Sequence, residues 1–195
     1  IIRFYSPVET FGGGTVLNPA ADKHKRGQED VIESLKLKKT GTDMEILEQM
    51  VNEESRRFPE AEDLAAWMDL TVSEAEQMLD TLRNKKKILH LNDGSFVGKT
   101  YWEKVSELAN QVLAHFHREN PIVEGMDREE LKSRLAERMH LKSGKKAEAL
   151  IAELEKRKVI TIQGSVVSVA GFTVSYSDEA SQMMTDMENI YKKAG

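Results

Sequence analysis

The run Ile88-Leu89-His90-Leu91-Asn92-Asp93-Gly94-Ser95-Phe96-Val97 decides the fold. Two short apolar stretches flank Asp-Gly, a dipeptide that tolerates the positive φ a tight hairpin needs. Upstream lie three helical patterns. Thr42-x-x-Glu45 and Ser73-x-x-Glu76 both carry the S/T-x-x-E capping signature ahead of apolar-periodic runs. The first run holds Ile46, Leu47, Met50 and Val51. A short helix over 60–68 follows the break at Pro59, and the third helix starts at Ser73 with Ala75, Met78, Leu79 and Leu82 on one face. Three helices followed by a two-stranded hairpin is the winged-helix order, a relative of helix-turn-helix, with the hairpin as the wing.

The same order then recurs. A first helix carries Val105, Leu108, Ala109, Val112, Leu113 and Phe116, and Pro121 and Gly125 break it. A second starts at Asp127, with Glu130 in the capping position, and carries Leu131, Leu135 and Met139. A third follows Ser143-Gly144 and carries Ala147, Leu150, Ile151 and Leu154. A hairpin of 159–162, Gln163-Gly164 and 166–169 closes the copy. The predicted fold is mainly α (α+β): tandem winged helices, each three helices plus a two-stranded β wing.

Outside the repeat the chain changes character. Residues 1–20 hold strand-forming types around Gly12, Gly13 and Gly14, too few to bury a core of their own. They read as a segment that completes a sheet whose other strands are missing. Residues 21–41 form a basic linker with a helix over 28–37, in which Val31, Ile32 and Leu35 share a side. Winged helix one is assigned to 42–99 and winged helix two to 100–171. Residues 172–195, with Met183, Met184, Met187, Ile190 and Tyr191, read as the first helix of a truncated third copy. The absence of an initial methionine adds to the expectation of a piece cut from a longer protein.

Charge separates the copies. The whole chain carries −5. Residues 42–99 hold seven basic and thirteen acidic side chains, net −6, whereas 100–171 hold twelve and eleven, net +1. The first copy's recognition-position helix carries Glu74, Glu76 and Asp80, which repel a phosphate backbone. Lys85, Lys86 and Lys87 close that helix, where interaction with its C-terminal dipole is favoured over phosphate contact. In the second copy, Arg128, Lys132, Lys142, Lys145 and Lys146 stand where a helix-turn-helix meets a backbone. They are the candidate RNA or ribosome contacts, although Glu148, Glu153 and Glu155 follow at once and favour an ordinary solvated face.

Nothing in the sequence suggests catalysis. With no cysteine there is no disulfide, thiolate metal site or cysteine nucleophile. The Gly12–Gly14 run lacks the Lys-Ser/Thr ending and following helix of a phosphate loop. His115 and His117, two apart on a helix, point to different faces. Trp67 and Trp102 sit at apolar helical positions and read as packing residues rather than base-stacking platforms. No segment reaches the roughly 18 apolar residues of a membrane span, and no signal peptide opens the chain, so the expected compartment is the cytoplasm.

Two stretches resemble a known family. The run from Ser6 to Leu17 (Ser-Pro-Val-Glu-Thr-Phe-Gly-Gly-Gly-Thr-Val-Leu), with Asn18-Pro19 and His24-Lys25-Arg26, resembles the bacterial selenocysteine-specific elongation factors of the SelB family. Its glycines resemble the final strands of the third, β-barrel domain in elongation factors of the Tu type. Phe116-His117-Arg118-Glu119-Asn120-Pro121, then Gly125-Met126 and Glu129-Glu130-Leu131-Lys132-Ser133-Arg134-Leu135, is similar to that family's second winged helix. The resemblance implies a full-length GTPase, using GTP and Mg, that delivers selenocysteinyl-tRNA to the ribosome at a recoded UGA. It further implies an extension of four winged helices whose last member holds the messenger hairpin. On that reading this chain has no catalytic site, cofactor or metal of its own, and binds RNA weakly or not at all. The competing readings are a winged-helix DNA-binding regulator and a protein-interaction module.

Overall fold

The computed structural model describes residues 2–3, 10–14, 23, 25, 27–174, 187, 190 and 192. At the start, β1 (Ile2–Arg3) pairs antiparallel with β2 (Thr10–Gly12). The rest of the 1–20 expectation, and that for 172–195 apart from Phe172–Val174, Met187, Ile190 and Lys192, lies outside the described residues.

Helix α1 (Glu29–Thr40) runs three residues past the expected end, to the stop at Gly41. Of its apolar side, Ile32 and Leu35 are exposed. Polar contacts tie it down instead: Ser34 Oγ donates to Glu53 at 2.5 Å, and Lys38 Nζ donates to the same carboxylate at 2.6 Å.

The first repeat comprises α2 (Asp43–Glu54), a short 3-10 turn (Ser55–Arg57), α3 (Ala61–Met68), α4 (Val72–Asn84), β3 (Ile88–His90) and β4 (Phe96–Gly98). Thr42 and Glu45 form the expected reciprocal capping box. The second box differs from expectation. Thr71 with Glu74, not Ser73 with Glu76, caps α4. Both pairs fit the pattern, and the chain takes the earlier one because Thr71 is still extended, with ψ 152°, and two further residues join the helix.

The hairpin is where the architecture departs from two separate modules. Period-two alternation sends Ile88 and Phe96 to one face, against Leu47, Val51, Leu64, Leu79 and Leu82. Leu89, Leu91 and Val97 point the other way, into a second core with Tyr101, Trp102, Val105, Leu113, Leu150 and Leu154. The wing of the first repeat is thus a wall shared by two cores.

The second core is built around α5 (Lys99–Glu119), which buries Tyr101, Trp102, Val105, Ala109, Val112, Leu113 and His117 along one stripe. Against it pack α6 (Arg128–Arg138) and α7 (Gly144–Lys156). The closing strands β6 (Ile160–Gln163) and β7 (Val166–Val169) pair antiparallel around the turn at Gly164, φ +63°. A further strand, β5 (Met126–Asp127), adds to β7, giving the order β5-β7-β6. The expected two-stranded wing is therefore a three-stranded sheet here. Two residues are too short a stretch to show alternation in sequence, and Gly125 permits the approach. A Cβ there would lie 2.3 Å from the Val167 carbonyl oxygen.

Packing, not charge, holds the repeats together. Each fully buried Leu or Val contributes about 1.5–3 kcal/mol, against roughly 0–1 kcal/mol for an accessible ion pair. Leu89, Leu91, Val97 and Phe58 all cross from the first repeat into the second core.

Candidate nucleic-acid interface

The five candidate cations sit on α6, α7 and the turn between them. Asp127 caps α6, accepting from the N–H groups of Glu129 (2.8 Å) and Glu130 (3.4 Å). Ser143 caps α7, accepting from the Lys145 N–H at 3.3 Å. These caps place Arg128 at the first position of α6, Lys132 one turn on, and Lys145 and Lys146 in the first turn of α7.

Three of the five are already paired. The Arg128 guanidinium donates to Glu148 of α7. Lys132 Nζ lies 2.8 Å from Glu129 and 3.9 Å from Glu148. The Glu129 hydrogen bond raises the Lys132 pKa, and the Glu148 charge adds to it. Lys146 reaches out of its own repeat. Its Nζ lies 2.8 Å from Asp93 Oδ2, in the β3–β4 turn, and 5.4 Å from the centre of the Phe58 ring. Both partners' side chains are about three-quarters buried, at 26% and 25% exposed. Burial alone would raise the Asp93 carboxyl. Hydrogen bonds from Lys146 and Ser95 outweigh it and hold the group below the usual carboxylate range. Lys142 and Lys145 are exposed and form no side-chain ion pair among the described residues.

Between the first repeat's turn and α6–α7 lies a cleft of about 420 Å³ lined by Asn92, Asp93, Lys132, Gly144, Lys145 and Glu148. The structure brings Lys132 and Lys145 into it, with Lys146 at its edge on Asp93. Lys142 does not line it. Phosphate binding depends on cations that can exchange counterions for phosphate. Here carboxylates of the same chain take that place for Arg128, Lys132 and Lys146.

Asp93, the partner of Lys146, carries no signal of that pairing in the sequence. It sits in the expected turn and accepts from Ser95 N (3.2 Å) and Ser95 Oγ (2.6 Å). No periodicity connects it to Lys146, 53 residues away. Phe58, beside the helix break at Pro59, belongs to no periodic run. It takes a left-handed conformation (φ 55°), is buried, and packs edge-on to Tyr101 at 5.9 Å.

On the first repeat, the outer face of α4 is acidic. Glu76 and Asp80, with Glu60, Glu62, Arg83 and His90, line a groove of about 480 Å³. Glu74 is committed to the cap, and Asp80 pairs with Arg83 at 3.1 Å. Of the three lysines after α4, Lys87 lies 3.1 Å from Glu48 of α2. Trp67 packs against the first core. Trp102 is buried beneath the Arg157 guanidinium, 5.5 Å from the ring centre, and Arg157 is held at 2.6 Å by the buried Glu153. Trp102 is thus a packing residue, and Trp67 is half-buried against the first core.

His115 and His117 do face apart. His115 is exposed beside Glu119 at 3.4 Å. His117 is buried, stacks on Phe172 with ring centres 3.5 Å apart, and accepts the Val169 N–H through Nε2 at 3.3 Å. Burial holds its pKa below the ordinary histidine value. Among the described residues no group of three His, Asp or Glu side chains could hold a metal ion, and no helix is long and apolar enough to cross a membrane.

A repeated three-helix-and-hairpin unit, with a shared wall and a largely self-neutralised basic face, defines a tandem winged-helix protein. Residues 111–168, from within α5 to β7, match the family described as elongation factor SelB, winged helix. Over 197 aligned residues, covering the whole chain, it is 26% identical to the selenocysteine-specific elongation factor of Desulfomicrobium baculatum. It spans 30% of that protein's length. Residues 111–168 are thus similar to a SelB winged helix, and the whole chain is similar to a stretch of a selenocysteine-specific elongation factor, the family that the glycine run and residues 115–135 resemble.

Proposed function

We propose that this chain is the non-catalytic winged-helix portion of a selenocysteine-specific elongation factor. It joins a GTPase and tRNA-binding body to a tip that holds the messenger hairpin, and it sets the distance and angle between them. The full factor binds GTP and Mg and works in the cytoplasm with the ribosome, selenocysteinyl-tRNA and the selenocysteine-insertion hairpin. In this reading 1–20 end the barrel, 21–41 are the linker, 42–99 and 100–171 are the two complete winged helices, and 172–195 begin a third.

The observation that carries the reading is the shared wall. A connector that transmits position must not bend in the middle, and Leu89, Leu91 and Val97 of the first repeat are buried in the core of the second. The acidic α4 and the neutralised α6–α7 face argue against a DNA-binding regulator, which needs an open basic recognition helix. Titration of the chain with a messenger hairpin at physiological salt tests the reading. Weak or no binding is expected, and tight sequence-specific binding by this chain alone overturns it.

A further inference from the structure

The basic face of α6–α7 is neutralised in a particular way. Its carboxylates do not lie scattered over the surface. Asp93 comes from the other repeat, on a turn fixed by a left-handed glycine and three hydrogen bonds. Gly94 takes φ +86°, Leu91 N–H donates to Ser95 O at 2.8 Å, and Ser95 donates twice to Asp93 Oδ1. The turn stands on a hairpin buried on both faces, so Asp93 is held over the first turn of α7 rather than swinging in solvent. Glu148, one turn further along α7, bridges Arg128 and Lys132 of α6. Asp93 and Glu148, with Glu129 2.8 Å from Lys132, thus occupy three cations on the helix pair that a helix-turn-helix uses to meet a backbone.

We propose that this is an autoinhibitory contact: Asp93 and Glu148 stand in for backbone phosphates of a nucleic acid and hold the α6–α7 face closed to RNA. The inference rests on the connector reading, and gives the reason why a winged helix with twelve basic residues in its repeat does not compete with the tip for RNA. Packing holds the repeats together with or without the ion pair. The contact can therefore be neutralised without dismantling the fold. Asp93→Asn keeps an oxygen for the two Ser95 donors and removes only the charge.

The test is binding of a short RNA duplex of arbitrary sequence to the whole chain, read by fluorescence anisotropy over a salt series. Asp93→Asn is expected to bind roughly three- to tenfold more tightly than wild type at low salt, with a salt dependence steeper by about one released counterion. Glu148→Gln shifts affinity the same way. Adding Lys145→Glu to Asp93→Asn removes the gain, and a gain that survives this addition does not come from the cleft and overturns the proposal. Folded variants that bind no better than wild type also overturn it. Should Asp93→Asn lose its thermal transition, Glu148→Gln decides alone, because it leaves the contact between repeats untouched. The wild-type affinity tests the connector reading separately, since only the variant-to-wild-type ratio reports the masking.

Discussion

At Gly98 a hydrogen atom stands where any side chain would collide with α2. A Cβ would lie 2.0 Å from Asn52 Oδ1 and 2.8 Å from Asn52 Cα. The Gly98 N–H meanwhile donates to the buried Ser55 Oγ at 2.8 Å. Its φ is −74°, so the demand is for space and not for an unusual backbone. Gly98→Ala is expected to cost about 1–3 kcal/mol in urea unfolding, the range for overpacking, and unchanged stability would show that α2 yields freely. His117 makes a second residue-scale prediction. Burial lowers its pKa, and Nε2 accepts a hydrogen bond, so the native form is neutral. As pH falls below the unfolded value of about 6.5, the unfolded chain takes up the proton first and the native state loses stability. The fall in stability from neutral to mildly acidic pH should therefore be smaller in His117→Gln than in wild type. Identical pH profiles would contradict the assignment. The separate faces of His115 and His117 follow from their spacing, but this role does not. The partner Val169 lies 52 residues away, and no local pattern marks it.

At the scale of elements, helix and hairpin types were legible because capping, periodicity and turn chemistry are local. The start of α4 shows the limit. Leu70-Thr71-Val72-Ser73-Glu74-Ala75-Glu76 holds two overlapping capping boxes, and only the backbone distinguishes them. Thr71 Oγ1 accepts from Glu74 N at 3.3 Å, and Glu74 Oε2 accepts from Thr71 N at 2.9 Å. Thr71→Ala should cost about 1 kcal/mol of stability. Ser73→Ala, inside the helix and exposed, should be neutral or slightly stabilising because Ala is the better helix former. The reverse order in chemical denaturation would restore Ser73 as the cap. Strand β5 was illegible for another reason. Its two residues acquire their identity only from β7, about forty positions later in the chain.

At the scale of the molecule, the repeat and the contrast between its copies could be read from periodicity and charge. The joint between copies could not. Ile88 and Leu89 look alike in sequence, yet one faces the first core and the other the second. The hairpin that would be a free wing in an isolated module is spent as a partition. The face expected to meet phosphate is met by Asp93. Both facts come from tertiary contacts with no local signature. They turn two modules on a string into a single body with α5, roughly 31 Å long at 1.5 Å per residue, running through the second core. The chain has no cysteine, so two introduced thiols report cleanly on that body. Spin labels at Glu62→Cys on α3 and Arg138→Cys at the end of α6, both exposed positions, span the joint. Pulsed electron–electron resonance should give one narrow distance distribution that stays in place when RNA is added. A broad or two-peaked distribution would mean that the repeats move independently, and the rigid connector would be wrong.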